Sequence, residues 1–507
     1  MAKIYLGIDC GTTSIKCMAV DQTGKRIYTA SRIHATVSPH DGWMEQEPDG
    51  WLDPTVEAVK ECLAKAGGEC VAVSFSGHMS SPVFLDERNR PVYPCMTVGD
   101  SRCKEQAEWL TENKGEEFLR RTGNEPLACF AAAKILWFKE HEPEKYKRTG
   151  KFVMAKDYLR YMMTGVLNTD VTDAGNTLLF DEENNGWDIE LITSIGIDPE
   201  IFPEVKRPSD CVGNLLPDIA ERCGLSPDTQ VFCGGADMAC SQIGTGSLRR
   251  GIIAVTLSTS GQICMRTERP DRKGYGKVTF HPGIIQNSGY AMGSVFSGGL
   301  ALNWCYQMLS GAERMEKKDL EEMNLLAEQT RSYAPGSGGI LFLPFLTGSG
   351  SPYFCPEDRG TFLGLSTAAG KTAVFKAVME GVSFNIRENA ELLIQMGGNP
   401  KAVYLSGGGT HVSAWTQILT NVLGIPVYIL EEPDASTLGA ALIALAGGES
   451  GKSLEQLSVD VLRTVDVKKP DANQTEQYNR LFEIYRQCCT GMHDLYVSFS
   501  ERMKEGR

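Results

Sequence analysis

The sequence predicts an α/β protein built as two similar lobes. Strand-like and helix-like stretches alternate along the chain. A strand, a hydroxyl-rich turn and a second strand occur near residue 3 and return near residue 251. A length of 507 residues also exceeds one domain of about 150 residues. These observations divide the chain into residues 1–247 and residues 248–507.

The first unit opens with an apolar strand over residues 4–8 and places Asp9 at its end. Gly11-Thr12-Thr13-Ser14 follows as a tight turn, then a second apolar run over residues 15–20 closed by Asp21-Gln22-Thr23-Gly24. The pattern is a β-hairpin with a loop at its tip. Gly11 has no Cβ, so a bulky anion can approach the backbone. The hydroxyls of Thr12, Thr13 and Ser14, the nearby N–H groups and the Lys16 ammonium suit phosphate oxygens. Asp9 cannot bind phosphate directly; its fitting role is to hold Mg²⁺ through water, because that ion takes one or two carboxylates together with phosphate. On this stretch alone, an ordinary polar hairpin turn is an equal reading.

The second unit carries Ser258-Thr259-Ser260-Gly261 at its tip, with Leu257 near the place of Asp9. Only the first copy keeps an acid suited to metal. Two such loops facing each other imply a nucleotide held between lobes.

Composition narrows the classes. A formal net charge of −14 disfavours nucleic acid or an anionic membrane as the main partner, since both select basic surfaces. Sixteen cysteines are spread along the chain without a C-x-x-C pair. With strand-like residues beginning directly after Met1, this points to a reducing cytoplasm rather than a disulfide scaffold. No apolar run reaches bilayer length, so a soluble protein is expected.

The remaining elements follow in order. A loop at residues 42–48 precedes a helix over residues 53–66. Strands are expected at 70–76 and 83–85, a helical segment at 101–111, mixed loop and helix at 124–136, and a helix from Lys156 to Gly165. Residues 170–177 read as a polar turn. A strand over residues 230–234 leads into Gly234-Gly235-Ala236-Asp237, which opens a helix through Ile243. In the second half, helices are expected after Ser297-Gly298-Gly299 and over residues 372–396, 413–423 and 437–445. Strands are expected at 340–343 and 402–405. An amphipathic helix over residues 474–503 folds back on the body. Gly370-Lys371-Thr372 looks like the end of a P-loop, but the glycine spacing is wrong and no strand leads in. No G-x-G-x-x-G follows the first strand, which disfavours a dinucleotide-dependent dehydrogenase.

The stretches Gly7-Ile8-Asp9-Cys10-Gly11-Thr12-Thr13-Ser14, Gly42-Trp43-Met44-Glu45-Gln46, Lys156-Asp157-Tyr158-Leu159, Gly234-Gly235-Ala236-Asp237, Ser258-Thr259-Ser260-Gly261 and Ser406-Gly407-Gly408-Gly409 together resemble the FGGY carbohydrate kinases. The resemblance covers nearly the whole chain, and the second and third stretches look most like the xylulokinase branch. It implies two ribonuclease-H-like domains of the actin-like, sugar kinase and Hsp70 ATPase type, with an interdomain cleft. It also implies ATP- and Mg²⁺-dependent phosphorylation of a sugar or polyol hydroxyl. By the family motif Asp237 is the catalytic base. A carboxylate can orient a hydroxyl and accept its proton, and a helix start favours the anion; a plain N-cap is the competing role.

Thr12, Thr13, Ser14 and Lys16 resemble the first phosphate loop, with Asp9 as the metal-associated acid, and Ser258, Thr259 and Ser260 the second. Gly299, Asn303, Gly408 and Gly409 match positions facing the nucleotide, with turn geometry the alternative for the glycines.

On the sugar side, the resemblance puts His78, Met79, Ser80, Asp100 and Arg102 near substrate together with Asp237, and Asp173 is a further candidate. Three positions depart from the pattern. Ser80 replaces a histidine, Val98 a tryptophan, and Met238 an asparagine, and all three bear on which sugar is read. Best expected is D-xylulose phosphorylated to D-xylulose 5-phosphate. Alternatives are gluconate, ribulose, a tetrose or another polyol, or a non-catalytic ATP-binding sugar sensor of the actin-like group. Family members are often dimers, which leaves a homodimer open.

Overall fold

The computed structural model describes residues 2–448 and 450–505. Two seven-stranded sheets organise the chain. In the first, Lys3–Cys10 pairs antiparallel with Ser14–Asp21, which pairs antiparallel with Arg26–Ile33. On its other side Lys3–Cys10 runs parallel to Glu69–Gly77, which runs parallel to Gln230–Phe232. The second sheet repeats this plan. Ile252–Leu257 pairs antiparallel with Gly261–Thr267, which pairs antiparallel with Gly289–Val295. Ile252–Leu257 also runs parallel to Ala402–Ser406, which runs parallel to Val427–Leu430. The central strands are buried on both faces, and so read as continuous apolar runs rather than alternating ones.

Helix Ala435–Gly447, late in the chain, lies against the first sheet. A Cβ on Gly7 would collide with the backbone at Thr437 and Ala441, and one on Gly439 with Cys240. Small residues therefore let this helix, strand Lys3–Cys10 and helix Asp237–Gly244 meet backbone to backbone. The lobes also touch through Asn124, whose side chain exchanges hydrogen bonds with the Phe280 backbone at 2.7 and 2.8 Å.

Three local expectations change. The helix expected over residues 101–111 runs Lys104–Thr122, and a clear helix Ala131–His141 emerges from the mixed stretch. Residues 170–177 are not a solvated turn: Asp170, Thr172, Asp173, Asn176 and Thr177 are buried, because a cation waits beneath them. The C-terminal helix Ala472–Glu505 does pack on the second lobe, burying Tyr478, Phe482, Tyr485 and Cys489. Lys371 is an exposed first residue of helix Lys371–Gln395. Among the described residues no helix is long and apolar enough to cross a membrane.

Candidate active site

Asp9 lies at the end of the first strand, opposite Lys16 in the register. It is buried, and Ser436 Oγ donates to its Oδ2 at 3.1 Å. Burial raises its pKa, while the Ser76 and Ser436 hydroxyls and Lys16 act the other way. Its Oδ1 is buried without a hydrogen-bond partner among the described residues. An unsatisfied carboxylate oxygen is costly, and a hydrated divalent cation would satisfy it; the donor set fits Mg²⁺. Lys16 pairs with Asp434, which ties the first hairpin to the segment leading into helix Ala435–Gly447.

The first loop is held from behind by its carbonyls. Gln46 Nε2 and Thr36 Oγ1 donate to Thr12 O at 2.7 and 2.9 Å. His34 Nε2 lies 2.8 Å from Gly11 O. Trp51 Nε1 donates to Gln46 Oε1 at 3.1 Å. With the carbonyls engaged, the tip keeps Thr13 exposed and Thr12 and Ser14 half-exposed. That is how a loop offers hydroxyls and N–H groups, rather than carbonyls, to an anion.

The second loop is held mainly by backbone, with one side-chain bond from Gln262 Nε2 to Ser260 Oγ at 3.1 Å. The N–H groups of Gly299, Gly298 and Leu300 donate to the carbonyls of Ser258 and Thr259 at 2.7–3.0 Å, leaving Ser258 and Thr259 exposed and Ser260 half-exposed. Gly299 is required by this packing, since a Cβ there would lie 2.6 Å from Ser258 O. Asn303 is half-buried one turn further along the same helix. Gly409 sits over Leu257 and would strike it with a Cβ, whereas Gly408 faces open space.

Asp237 opens helix Asp237–Gly244 and accepts a hydrogen bond from Met238 N–H at 2.7 Å. Its side chain reaches solvent but is walled by protein. Burial, followed by repulsion from Asp9, pushes its pKa up to about 7. Two acids close enough to repel, one of them near neutrality, form an arrangement that can take a proton from an alcohol.

The residue before Asp237 is fixed by a buried ionic relay. Ala236 N–H donates to Thr172 Oγ1 at 2.8 Å, and Thr172 Oγ1 donates to Asp170 Oδ1 at 2.5 Å. Lys156 Nζ lies 2.5, 2.6 and 2.9 Å from Asp157, Asp170 and Asp173. Arg160 joins Asp157 at 2.8 Å and donates to Cys233 O at 2.6 Å. Burial opposes the charge on Lys156, but its three acids prevail and raise its pKa. Burial raises Asp173 well above the usual carboxylate range. Asp173 is thus packed into the relay that carries Asp237.

Of the residues expected to face the sugar, His78 is buried. Its Nδ1 lies 2.6 Å from Ser81 Oγ, and its Nε2 has no hydrogen-bond partner among the described residues. Burial, with His34 and Lys134 nearby, lowers its pKa to about 3, so it is a neutral imidazole. Ser80 takes φ +57°, donates to Asn176 O at 3.2 Å, and its carbonyl accepts from Lys134 Nζ at 2.8 Å. Met79 and Ala236 belong to one apolar cluster, and Val98 and Met238 pack against it, so two of the three departures border the cluster that contains the residue before Asp237. Asp100 and Arg102 are bound to each other. Arg102 donates to Asp100 at 2.5–3.0 Å and to Glu45 at 2.7 Å, with its guanidinium 3.6 Å above the Trp43 ring. Asp100 also accepts from Met44 N–H at 2.7 Å. Their polar atoms are spent on holding the 42–46 segment, from which Gln46 reaches the first loop.

Sequence reasoning overlooked Ser76, Ser436, Asp434, His34 and Thr36, each a single polar residue in an unremarkable context. It named Lys156 only as part of a motif; a Lys-Asp pair followed by Asp170 and Asp173 was the available signal for the relay.

The profile for the N-terminal domain of the FGGY family of carbohydrate kinases matches residues 4–244, and that for the C-terminal domain matches residues 253–447. The chain belongs to the FGGY family of carbohydrate kinases. Among its family relatives is a xylulose kinase of Bacillus subtilis, 32% identical, with 99% of this chain and 100% of the relative covered. A gluconokinase of the same organism is 25% identical, with 99% and 98% covered. The crystal structure of ligand-bound xylulose kinase from Lactobacillus acidophilus superposes with a TM-score of 0.91 at 25% identity, covering 98% of this chain and 100% of that one. The chain is thus a sugar kinase, and FGGY kinases use ATP as phosphoryl donor.

Proposed function

We propose that this kinase transfers the γ-phosphoryl group of ATP to D-xylulose, giving D-xylulose 5-phosphate, with Asp237 as the base. The observation that carries the proposal is the placement of Asp237 beside Asp9, with its pKa pushed up to about 7. In the proposed step Asp237 orients the sugar hydroxyl and takes its proton as the oxygen attacks phosphorus. The two hydroxyl loops and Lys16 grip the phosphates. Mg²⁺, held through Asp9, supplies charge neutralisation on the transferring group when bound. Met79 and the neutral His78 line the sugar side. Lobe closure keeps water from taking the hydroxyl's place. Sixteen free thiols support a reducing, cytoplasmic setting.

A second reading, an aldonate or another polyol as acceptor, is favoured by Ser80, Val98 and Met238, which depart from the xylulokinase pattern, and by the gluconokinase relative. A coupled ADP-release assay over D-xylulose, D-ribulose, D-gluconate and a tetrose decides between them. The highest kcat/KM is expected with D-xylulose. A different leading acceptor overturns that substrate and leaves the kinase standing. Sugar binding without ADP release for any acceptor would support the sensor instead.

A further inference from the structure

Among the described residues, two groups of side chains bring three potential metal ligands together: Asp157, Asp170 and Asp173, and Cys355, Asp358 and His493. The first is already filled by Lys156 Nζ. Among the described residues, no Lys or Arg ion pair fills the second, where Asp358 pairs with His493. One donor atom from each of its residues lies within 4.8 Å of the other two. His493 Nδ1 is 3.0 Å from Asp358 Oδ1. Donors on bonds of about 2.0–2.3 Å in a tetrahedron sit roughly 3.3–3.8 Å apart, so only small side-chain adjustments separate this arrangement from a coordination shell.

The surroundings orient the donors as the outer shell of a metal site does. Ser349 Oγ donates to Asp358 Oδ2 at 2.6 Å, which leaves Oδ1 facing His493. Ser349 Oγ also accepts from Cys355 N–H at 3.1 Å, and Ser349 N–H donates to Cys355 O at 2.9 Å. Cys355 and Asp358 are buried, while the His493 side chain is 34% exposed, which gives an ion a way in. The location also matters. The C-terminal helix is anchored by buried aromatics as far as Cys489, but Leu495 and Phe499 beyond it are exposed. That last part is joined to the body of the lobe by polar contacts of His493 with Asp358 and of Tyr496 with Thr361 at 2.6 Å.

We propose that Cys355, Asp358 and His493 bind one Zn²⁺, which staples the outer part of the C-terminal helix to the loop over residues 349–358. A thiolate, an imidazole and a carboxylate select zinc over Mg²⁺, which prefers oxygen alone. The site is therefore distinct in chemistry from Asp9. The test uses the full chain, stripped with a chelator and titrated with ZnCl₂ and, separately, with CoCl₂. One equivalent per chain is expected, with a thiolate-to-cobalt charge-transfer band and a Tm that rises on zinc addition. Cys355→Ala and His493→Gln should each lose the equivalent, the band and the Tm rise, while retaining kinase activity with Mg²⁺ and ATP. Cys355→Ser keeps the side-chain size and should also abolish the band, should either other variant fold poorly. Wild-type protein that binds no equivalent, or a cobalt band that survives in Cys355→Ser, overturns the proposal.

Discussion

The two hairpins share a backbone plan and differ in what lies beneath the loop. Under the first, Asp9 is a buried acid with one unsatisfied oxygen. Under the second, Leu257 fills the space and packs against Gly407 and Gly409. The first loop is braced by side chains from three separate positions, His34, Thr36 and Gln46. The second is braced by consecutive backbone amides at the start of helix Gly299–Ser310. One lobe thus carries charge and the other shape. A triphosphate bears several negative charges, so a second acid beneath it would repel it; a single acid suffices to hold the ion that neutralises it.

The most direct challenge to this asymmetry is Asp237→Asn. If the chemistry belongs to the first lobe alone, kcat should fall about 10²–10⁴-fold, while a fluorescent ADP analogue binds as before. Near-normal turnover would remove Asp237 from the chemistry. The paired test comes next. Asp9→Asn should lower kcat by about 10²-fold, equivalent to about 2.7 kcal/mol of lost charge stabilisation, and should raise the Mg²⁺ concentration needed for half-maximal rate. Leu257→Ala, at the matching place in the other lobe, should cost about 2–5 kcal/mol of stability and leave the Mg²⁺ requirement unchanged. Equal Mg²⁺ responses in the two variants would break the comparison.

The pH profile sharpens it further. A base works only when deprotonated. With Asp237 pushed up to about 7 by burial and by Asp9, kcat/KM should climb as pH rises towards about 7 and level off above it. Asp9→Asn removes one source of the upward push, so the residual activity should show the same limb at lower pH. A limb that stays put would mean that the Asp9 charge does not act on Asp237.

Much of this was legible in the sequence because hairpin tips and strand runs are local. The span 3–20, the helix after Gly234 and the helix over residues 413–423 depend on periodicity and turn residues close at hand. What was not legible is non-local. Asp170 and Asp173 look like turn residues until Lys156, more than a dozen positions earlier in the chain, is brought beneath them by helix Ala155–Thr164. Asp100 and Arg102 match a substrate motif, yet their geometry is explained by Trp43, Met44 and Glu45. Ser436 reaches Asp9 from the far end of the sequence, and nothing within either segment announces the contact. The alternation of strands and helices was readable for the same reason; the edge strands Arg26–Ile33 and Thr464–Lys468 were not, being largely exposed and so without an apolar run.

The smallest expected effect separates two glycines that the sequence treats alike. A Cβ at Gly299 would press on Ser258 O at 2.6 Å, so the absence of a side chain there is accounted for by the loop itself. At Gly408 no atom of the described residues lies within 4 Å of the added carbon, so internal packing gives no reason for a glycine. The proposed nucleotide on that open side supplies one. Gly408→Ala should therefore leave folding stability within about 0.5 kcal/mol of wild type, the usual range for a change that touches nothing, yet raise KM for ATP several-fold without changing kcat, because binding is weakened equally in the ground and transition states. A shift in KM for the sugar rather than for ATP would move the nucleotide away from this loop, and the division between a charged lobe and a shaped one would have to be redrawn.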